Sequence, residues 1–461
     1  MSSPAESVDD GEHEQVVVRV AAIDIGKRIG KVCTRLPHET KEGRRHTRVW
    51  DVPATTGPII ELADHLVCQG VERVVLESTS DYWRPFFYLL EARGLAVWLV
   101  NARDVKNVPG RPKTDKLDAV WLAKLAERGM LRPSFVPRPE IRRLRDLTRL
   151  RDDLTHERTR HKQRVEKILE DALIKLSTVL SDIFGVSGRA ILDALVAGER
   201  DPKKLAALAH GRVRATRAEL AAALTGQFSD HHAYLVRLLL DQVDDLTRRI
   251  DDLTARIDEA IAALPMPDND ENAPPPPGAA DNGPPTTGRA APSGTDLLDR
   301  LDEIPGISRH TAQVILAELG TRMAQFPTPG HLASWAKLAP RTIQSGATTR
   351  RGKTGKGNPY LRGALGEAAS AAARTQTFLG ARYRRLVKRR GKLKALVAVA
   401  RSILIIVWQL LNNPATRYHD LGTDHHTTRI NIDRRKRTLL RELAGLGTTQ
   451  ADITAALGAT A

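Results

Sequence analysis

The distribution of apolar residues along the chain predicts an α/β domain that is followed by a long helical region. Residues 16–23 form an apolar, β-branched run that predicts a buried strand. Further strands are predicted near residues 31–35, 46–52, 71–76 and 95–100, and helices near 57–69, 82–93 and 114–128. Three early strands followed by alternating helices and strands predict a mixed sheet covered by helices over residues 16–135.

A helical, heavily charged pattern occupies residues 136–264. Its second half repeats apolar residues at alternating intervals of four and three, which is typical of a coiled coil. The repeat consists of Leu239, Val243, Leu246, Ile250, Leu253, Ile257, Ala260 and Leu264. This seam fits a helical hairpin within one chain and a dimerisation arm equally well.

Composition divides the rest of the chain. Residues 1–15 are polar and acidic, which predicts disorder and excludes a signal peptide. Residues 265–293 contain nine prolines and are predicted to form an extended linker. Residues 294–412 are predicted to form a last, mostly helical unit, and residues 413–461 a basic tail.

The most apolar stretch, residues 395–411, is interrupted by Arg401. It is shorter than the roughly 20 residues that a membrane-spanning helix needs. We therefore expect a buried helix, no membrane partner and a cytoplasmic location.

Charge and cysteine content narrow the possible functions. The chain has 71 Lys and Arg against 55 Asp and Glu, and its net charge of +16 favours a polyanionic partner. With Cys33 and Cys68 as the two cysteines, neither a disulfide framework nor a four-thiolate zinc site is possible.

Four acidic residues follow predicted strands or begin a predicted helix. Asp24 ends the first strand, Glu77 ends a later strand, and Asp115 and Asp118 share one face of the helix that begins after Thr114. Each acid alone could be a solvated loop residue. Together they can converge at one edge of the sheet, where carboxylate oxygens suit Mg²⁺ or Mn²⁺. Two such ions about 4 Å apart stabilise both oxygens of a phosphoryl transfer.

Residues 301–320 resemble a helix-hairpin-helix. Its tight turn at Gly306 would present backbone N–H groups to a nucleic-acid phosphate. Ser308 stands where a second glycine is usual, and a plain corner between two helices is the alternative.

A basic loop follows between Arg341 and Arg362, with six basic residues, four glycines and no acid. Such a loop can neutralise and closely approach a phosphodiester, although a generic basic loop would have the same charge. Its candidate contacts are Arg350, Arg351, Lys353, Lys356, Asn358 and Arg362. Residues 382–394 add eight more basic residues, which also suit a nucleic-acid backbone.

Several short motifs together resemble one family. They are Glu77-Ser78-Thr79, Tyr82-Trp83, Val100-Asn101, residues 113–119 (KTDKLDA), and Ser345-Gly346 followed by Arg-Gly, Lys-x-Gly-Asn and Leu-Arg. This pattern resembles the DEDD transposases of bacterial insertion sequences of the IS110 type, which are bridge-RNA-guided serine recombinases. The resemblance covers about residues 16–135 and 294–412 and implies an RNase-H-like, RuvC-type first domain and a C-terminal transposase domain.

The resemblance also implies roles for individual residues. Asp24, Glu77, Asp115 and Asp118 would be the metal-binding tetrad, and Ser345 the nucleophile, with Ser78, Ser308 and Thr348 as lesser candidates. Lys113 and Lys116 would bind phosphates or only neutralise the charge of the neighbouring acids.

The implied partners are double-stranded DNA at the element ends and target, a structured RNA from the element, and further copies of the chain in a dimer or tetramer. In the family the carboxylates of one subunit meet the serine of another. The implied setting is the bacterial nucleoid. Two alternatives remain: a metal-dependent nuclease of the Holliday-junction-resolvase kind without a serine intermediate, and a non-catalytic nucleic-acid scaffold.

Overall fold

The structure is a computed structural model. It describes residues 17–38, 40–41, 44–78, 80–101, 115–211, 213–264, 294–340, 342–346, 348–352, 355–413, 415–425 and a few positions between 437 and 445. Inside these ranges only the backbone is described for Ser78, Asp115, Lys116, Thr342, Ile343, Ser345, Thr349, Arg350 and Arg351. The predictions for residues 1–15, the linker 265–293, most of the tail, Lys113 and Lys353 lie outside the described residues. The chain divides into two compact units, Met1–Val136 and Pro137–Ala461.

The first unit is a five-stranded mixed sheet with helices. Its elements, in chain order, are β1 (Val20–Ile25), β2 (Ile29–Pro37), β3 (Arg45–Pro53), α1 (Thr56–Cys68), β4 (Arg73–Ser78), α2 (Trp83–Ala92), β5 (Val97–Asn101) and α3 (Asp115–Glu127). The strand order is β3-β2-β1-β4-β5; β1, β2 and β3 are antiparallel neighbours, whereas β4 is parallel to both β1 and β5. This topology agrees with the mixed sheet that the sequence predicts and is consistent with an RNase-H-like domain.

Alternating side chains of the central strands build a core on each face of the sheet. Ile23 and Leu76 pack with Phe86 and other residues of α1 and α2 on one face. Ala22 and Val75 pack with residues of α3 on the other face. Because both faces are covered, β1 and β4 consist of nearly uninterrupted apolar residues up to the acid near their ends.

The buried cysteine of this unit is a packing residue. Cys33 lies in the core beneath α3, where burial raises the pKa of its thiol to about 11, and Cys68 is exposed. Neither cysteine forms a disulfide.

The second unit begins with two long helices, α4 (Pro139–Asp171) and α9 (Asp230–Ala262), which pack against each other. Between them lie α5 (Leu176–Val179), α6 (Val186–Val196), α7 (Pro202–Ala207) and α8 (Arg217–Ala223). These short helices close an apolar core with the adjoining ends of α4 and α9, including Val165, Leu169 and Val236.

The predicted seam of α9 lies largely inside this pair. Its buried members are Val243, Leu246, Ile250, Ile257 and Leu264. A hairpin within one chain therefore accounts for this seam, and no partner copy is needed to cover it.

The rest of the second unit is a helical bundle with one β-hairpin. Its elements are α10 (Gly294–Asp302), α11 (Arg309–Leu319), α12 (Pro329–Trp335), β6 (Thr342–Ser345), β7 (Thr348–Arg351), α13 (Pro359–Ala372), α14 (Phe378–Arg390) and α15 (Lys392–Asn412). The buried Arg300 of α10 ties the end of α15 in place, since its guanidinium donates hydrogen bonds to the carbonyls of Leu410, Asn413 and Thr416.

Helix α15 contains the apolar stretch that the sequence singles out. It is long and apolar enough to cross a membrane, a test that the core helix of a globular protein also passes. One side of it, from Ala395 to Leu411, is buried, and the helix packs against α10, α12, α13 and α14. The structure thus gives this stretch the buried position that the sequence predicts.

Candidate functional site

Asp24 and Glu77 are neighbours on adjacent parallel strands. Ile23 of β1 pairs with Leu76 of β4, so the acids that follow them occupy the next row of the sheet. Because side chains alternate along a strand, Asp24 shares a face with Ala22, and Glu77 with Val75. That face is the one covered by α3. Glu77 is buried and Asp24 is half-buried.

Helix α3 packs against β1 and β2, and its C-terminal end lies beside the chain that leads into β1. Its last residue, Glu127, accepts a hydrogen bond from the backbone of Val17, just before β1, and pairs with Arg35 and Arg45 at the same end of the sheet. Thirteen helical residues span about 20 Å, and the extended chain from Val17 to Asp24 spans about 23 Å. The first turn of α3 therefore lies towards the end of the sheet that carries Asp24 and Glu77.

Asp115 and Asp118 occupy that first turn, three residues apart and on the side that leads to the buried residues Ala119 and Leu122. Asp118 is half-buried, whereas only the backbone is described for Asp115 and Lys116. Among the side chains that the structure describes, no three His, Cys, Asp or Glu are grouped closely enough to hold a metal ion. The four carboxylates that the sequence predicts as a donor set would suit a hard divalent cation.

Ser345 ends one strand of a small antiparallel hairpin. In β6 and β7, Thr342 pairs with Arg351, Ile343 with Arg350, and Ser345 with Thr348. Gly346 has a φ of +56°, a conformation that glycine adopts without a steric penalty. The sequence predicts a flexible loop here; the structure instead has a two-stranded ribbon whose tip follows Ser345.

Asn358 connects this ribbon to α13. Its side-chain oxygen accepts hydrogen bonds from the backbone of Tyr360 and Leu361, which makes it the N-cap of α13. Its amide nitrogen donates to a carboxylate oxygen of Glu318. Since both polar groups have partners inside the protein, Asn358 has a positioning role, and its nucleic-acid contact stays a prediction.

Glu318 is the residue that sequence reasoning missed. It is completely buried on α11 and forms a two-pronged ion pair with Arg149, at 2.8 and 2.9 Å, and a second ion pair with Arg145, at 3.1 Å. Burial lowers the pKa of Arg149, but the hydrogen bonds and charge of Glu318 outweigh it and hold that pKa above its ordinary value. The available signal was a single acid inside the apolar run of residues 314–319.

Lys356 and Arg362 lie beside the start of α13. Lys356 is exposed, and Arg362 donates a hydrogen bond to the carbonyl of Gly355 at 3.3 Å. Both line a shallow, open depression together with Gly357, Pro359 and Gly363. An anion could reach these two cations from solvent.

Gly306 lies in the turn between α10 and α11, as predicted, but the structure gives it a packing role. Its φ is +91°, and a Cβ atom there would lie 2.2 Å from the carbonyl oxygen of Ala368 and 2.7 Å from the backbone nitrogen of Ala372. Glycine is thus required for the close approach of this turn to α13. The phosphate contact of Gly306 stays a prediction.

Two family models match the chain, and together they cover just over half of it. The model described as a transposase of the DEDD, IS110 type matches residues 21–174, which include all four acids. The model described as the transposase IS116/IS110/IS902 family matches residues 298–384, which include Ser345. No curated protein matches the chain.

The solved structures similar to this chain include RuvC from Thermus thermophilus, at 16% identity over 25% of this chain and 100% of that chain, with a TM-score of 0.20. RuvC from T. thermophilus in complex with a Holliday junction substrate matches at 18% identity over 25% of this chain and 99% of that chain, also with a TM-score of 0.20. These scores are too low to support a conclusion about the chain.

We predict that Gly306→Ala lowers the free energy of unfolding by roughly 3 kcal/mol, because the methyl group adds a steric clash to the cost of a positive φ. Gly422→Ala is the matched control: its φ is +78° and nothing lies within 4 Å of the added Cβ, so it should cost about 1 kcal/mol. Denaturant unfolding measures both. Equal losses would contradict the packing role of Gly306.

We also predict that Glu318→Gln costs roughly 2 kcal/mol or more, because Arg145, Arg149 and Asn358 lose a charged acceptor in a buried position. Asp245→Asn, which breaks exposed ion pairs with Arg248 and Arg249, should cost less than about 1 kcal/mol. Thermal and denaturant unfolding of the two variants test this. A loss for Glu318→Gln no larger than for the control would contradict the anchoring role.

Proposed function

Because the chain belongs to the IS110 family of transposases, and is therefore an enzyme that acts on DNA, we propose that it exchanges DNA strands with a serine nucleophile assisted by four carboxylates. The observation that supports the proposal is the neighbouring position of Asp24 and Glu77 on the adjacent parallel strands β1 and β4.

The four carboxylates would hold divalent ions, Mg²⁺ or Mn²⁺. Bound there, such ions supply positive charge to a phosphodiester whose negative charge increases during transfer. Glu77 and Asp24 lie on rigid strands, and Asp115 and Asp118 lie on a helix packed onto the same face, so the chain itself would fix the ligand positions.

The hydroxyl of Ser345 would attack the phosphorus of one DNA strand. A bond forms between the serine oxygen and phosphorus, the bond from phosphorus to one deoxyribose oxygen breaks, and the released deoxyribose hydroxyl takes the proton. A hydroxyl of a second strand then attacks the same phosphorus and restores the serine. Each step exchanges one phosphate ester for another, so no nucleoside triphosphate is needed.

The basic residues near both centres would hold the DNA backbone. In the sequence, Lys113 and Lys116 flank Asp115, and Ser345 is followed by five further basic residues: Arg350, Arg351, Lys353, Lys356 and Arg362. Arg and Lys at such positions neutralise phosphates without reading sequence. The proposal includes a structured RNA from the element as guide, a homo-oligomer in which the two centres come from different subunits, and action at the nucleoid.

We expect wild-type protein, incubated with Mg²⁺, labelled DNA from its element's ends and the adjoining RNA, to form a protein–DNA adduct that survives denaturing electrophoresis. Ser345→Ala should form none, because the ester oxygen is missing, whereas Thr348→Ala, a neighbouring hydroxyl loss, should keep it. Cleavage without an adduct in both wild type and Ser345→Ala would favour the metal-dependent nuclease instead.

For the carboxylates, we expect Asp118→Asn to lower metal-dependent strand exchange by at least about a hundredfold, in line with the loss of one preorganised charge at a transition state. DNA binding measured with a chelator present should change little. The control is Asp51→Asn, an exposed acid on β3 that pairs with Lys31. Full strand-exchange activity of Asp118→Asn would contradict a role for Asp118 in the site.

A further inference from the structure

A long part of the C-terminal bundle carries basic residues and no acid. Between Glu367 and Asp420 the sequence has eleven Lys and Arg and neither Asp nor Glu. Most of them lie on α14 and at the start of α15. None of the cations on these two helices forms an ion pair with a carboxylate in the part of the chain that the structure describes. Their charge is therefore not balanced within the bundle.

Arg382, Arg385 and Arg401 form the centre of this region, which we term the arginine cluster. Arg382 and Arg385 lie three residues apart on α14, on one side of the helix. Arg401 lies on α15, which packs against α14. Burial lowers the pKa of the Arg382 guanidinium, and the positive charges of Arg385 and Arg401 lower it further.

Arg382 is the unusual member, because a donor of its guanidinium lacks a partner. Its Nε atom is shielded from solvent and has no hydrogen-bond acceptor among the described residues. A buried, unsatisfied donor destabilises the folded state, and repulsion by two neighbouring cations adds to that cost.

The neighbouring Arg384 on the same helix, in contrast, has hydrogen-bond acceptors for its guanidinium group. Its guanidinium donates to the carbonyl of Thr375 and to the side-chain oxygen of Gln376, both at 3.0 Å. The chain thus supplies partners to one arginine of this turn and leaves another without them. An arrangement that costs stability without a compensating contact is typical of a binding site whose ligand completes it.

We propose that the arginine cluster binds backbone phosphates of the nucleic acid on which the enzyme acts. A phosphate held by Arg385 and Arg401 would place its negative charge beside the Arg382 guanidinium and offset the repulsion among the three groups. Arg385 and Arg401 are exposed, so a phosphate can reach them from solvent. The residues lie on two helices and outside the hairpin of Ser345, so the cluster would hold the nucleic acid at a place separate from the reacting bond.

This inference rests on the proposed action on nucleic acid, but not on the serine or the metal. It can therefore be tested by binding alone, with full-length protein and a chelator present to prevent cleavage. The probes are a short labelled DNA duplex and an RNA duplex of the same sequence, which separate the two sources of a phosphodiester. Affinity is measured over a range of salt concentrations, because each phosphate contact contributes to the salt dependence.

The double substitution Arg385→Gln with Arg401→Gln should weaken binding roughly tenfold and lower the slope of log affinity against log salt by about two for the nucleic acid that uses the cluster. The control, Arg248→Gln with Arg249→Gln, removes the same charge from two arginines that pair with Asp245, and should change binding far less. Equal effects of the two double variants would overturn the proposal, since net charge alone would then explain binding.

Arg382→Met provides a second readout, because methionine keeps an apolar stem and removes the unsatisfied donor. We expect weaker binding together with an unchanged or higher unfolding temperature. Lower stability with unchanged binding would show that Arg382 is structural and overturn its role as a ligand. A wild-type protein that binds neither duplex would overturn the action on nucleic acid itself, whereas wild-type binding that is unaffected in the cluster variants would overturn only the cluster.

Discussion

The buried carboxylate of Glu318 is the constraint on which the C-terminal bundle depends. An isolated charge in a protein interior is very costly, and it is tolerated only with close, hydrogen-bonded partners. Arg145 and Arg149 of α4 and Asn358 at the start of α13 supply these partners. Three segments that are distant in the sequence must therefore meet at one point, and one of them, at Asn358, begins the helix that follows the hairpin of Ser345.

The sequence predicted the first unit well, because its signals are local. The apolar run before Asp24 and the alternation of helices and strands are sufficient to predict a mixed sheet covered by helices, but not the order of the strands within it. The role of Glu318 could not be predicted, because it depends on partners more than a hundred residues away in α4. Gly306 is recognisable as a turn residue, but glycine is needed there because the backbone of α13 lies so close, which no local pattern reveals.

The hairpin around Ser345 was not predicted for another reason. Four glycines and six basic residues are typical of a loop, and the pairing between Thr342 and Arg351 depends on strand register rather than on composition.

The positive net charge of the chain is not spread evenly. Along α9 and the short helices beside it, several arginines pair with acids, as Arg189 does with Asp193 and Asp244. On α14 and the start of α15 no such matching exists among the described residues. The paired arginines join neighbouring helices, whereas the arginines of α14 and the start of α15 leave positive charge without a paired acid among the described residues. The net charge of +16 therefore does not describe a uniform surface, because unpaired positive charge is concentrated on α14 and the start of α15.

Helix α4, together with α9, connects two cores of the second unit. Its first half carries the arginines that hold Glu318, and its last turns, with Val165 and Leu169, enter the core closed by the short helices. From Arg149 to Leu169 the helix rises about 30 Å without interruption. Because each residue also turns the helix by about 100°, deleting one residue in this stretch would rotate one core around the axis relative to the other as well as shorten their separation. The length of α4 therefore sets the rotation of one core relative to the other about the helix axis. Insertions or deletions that preserve this rotation must come in steps of about seven residues and be made in α4 and α9 together.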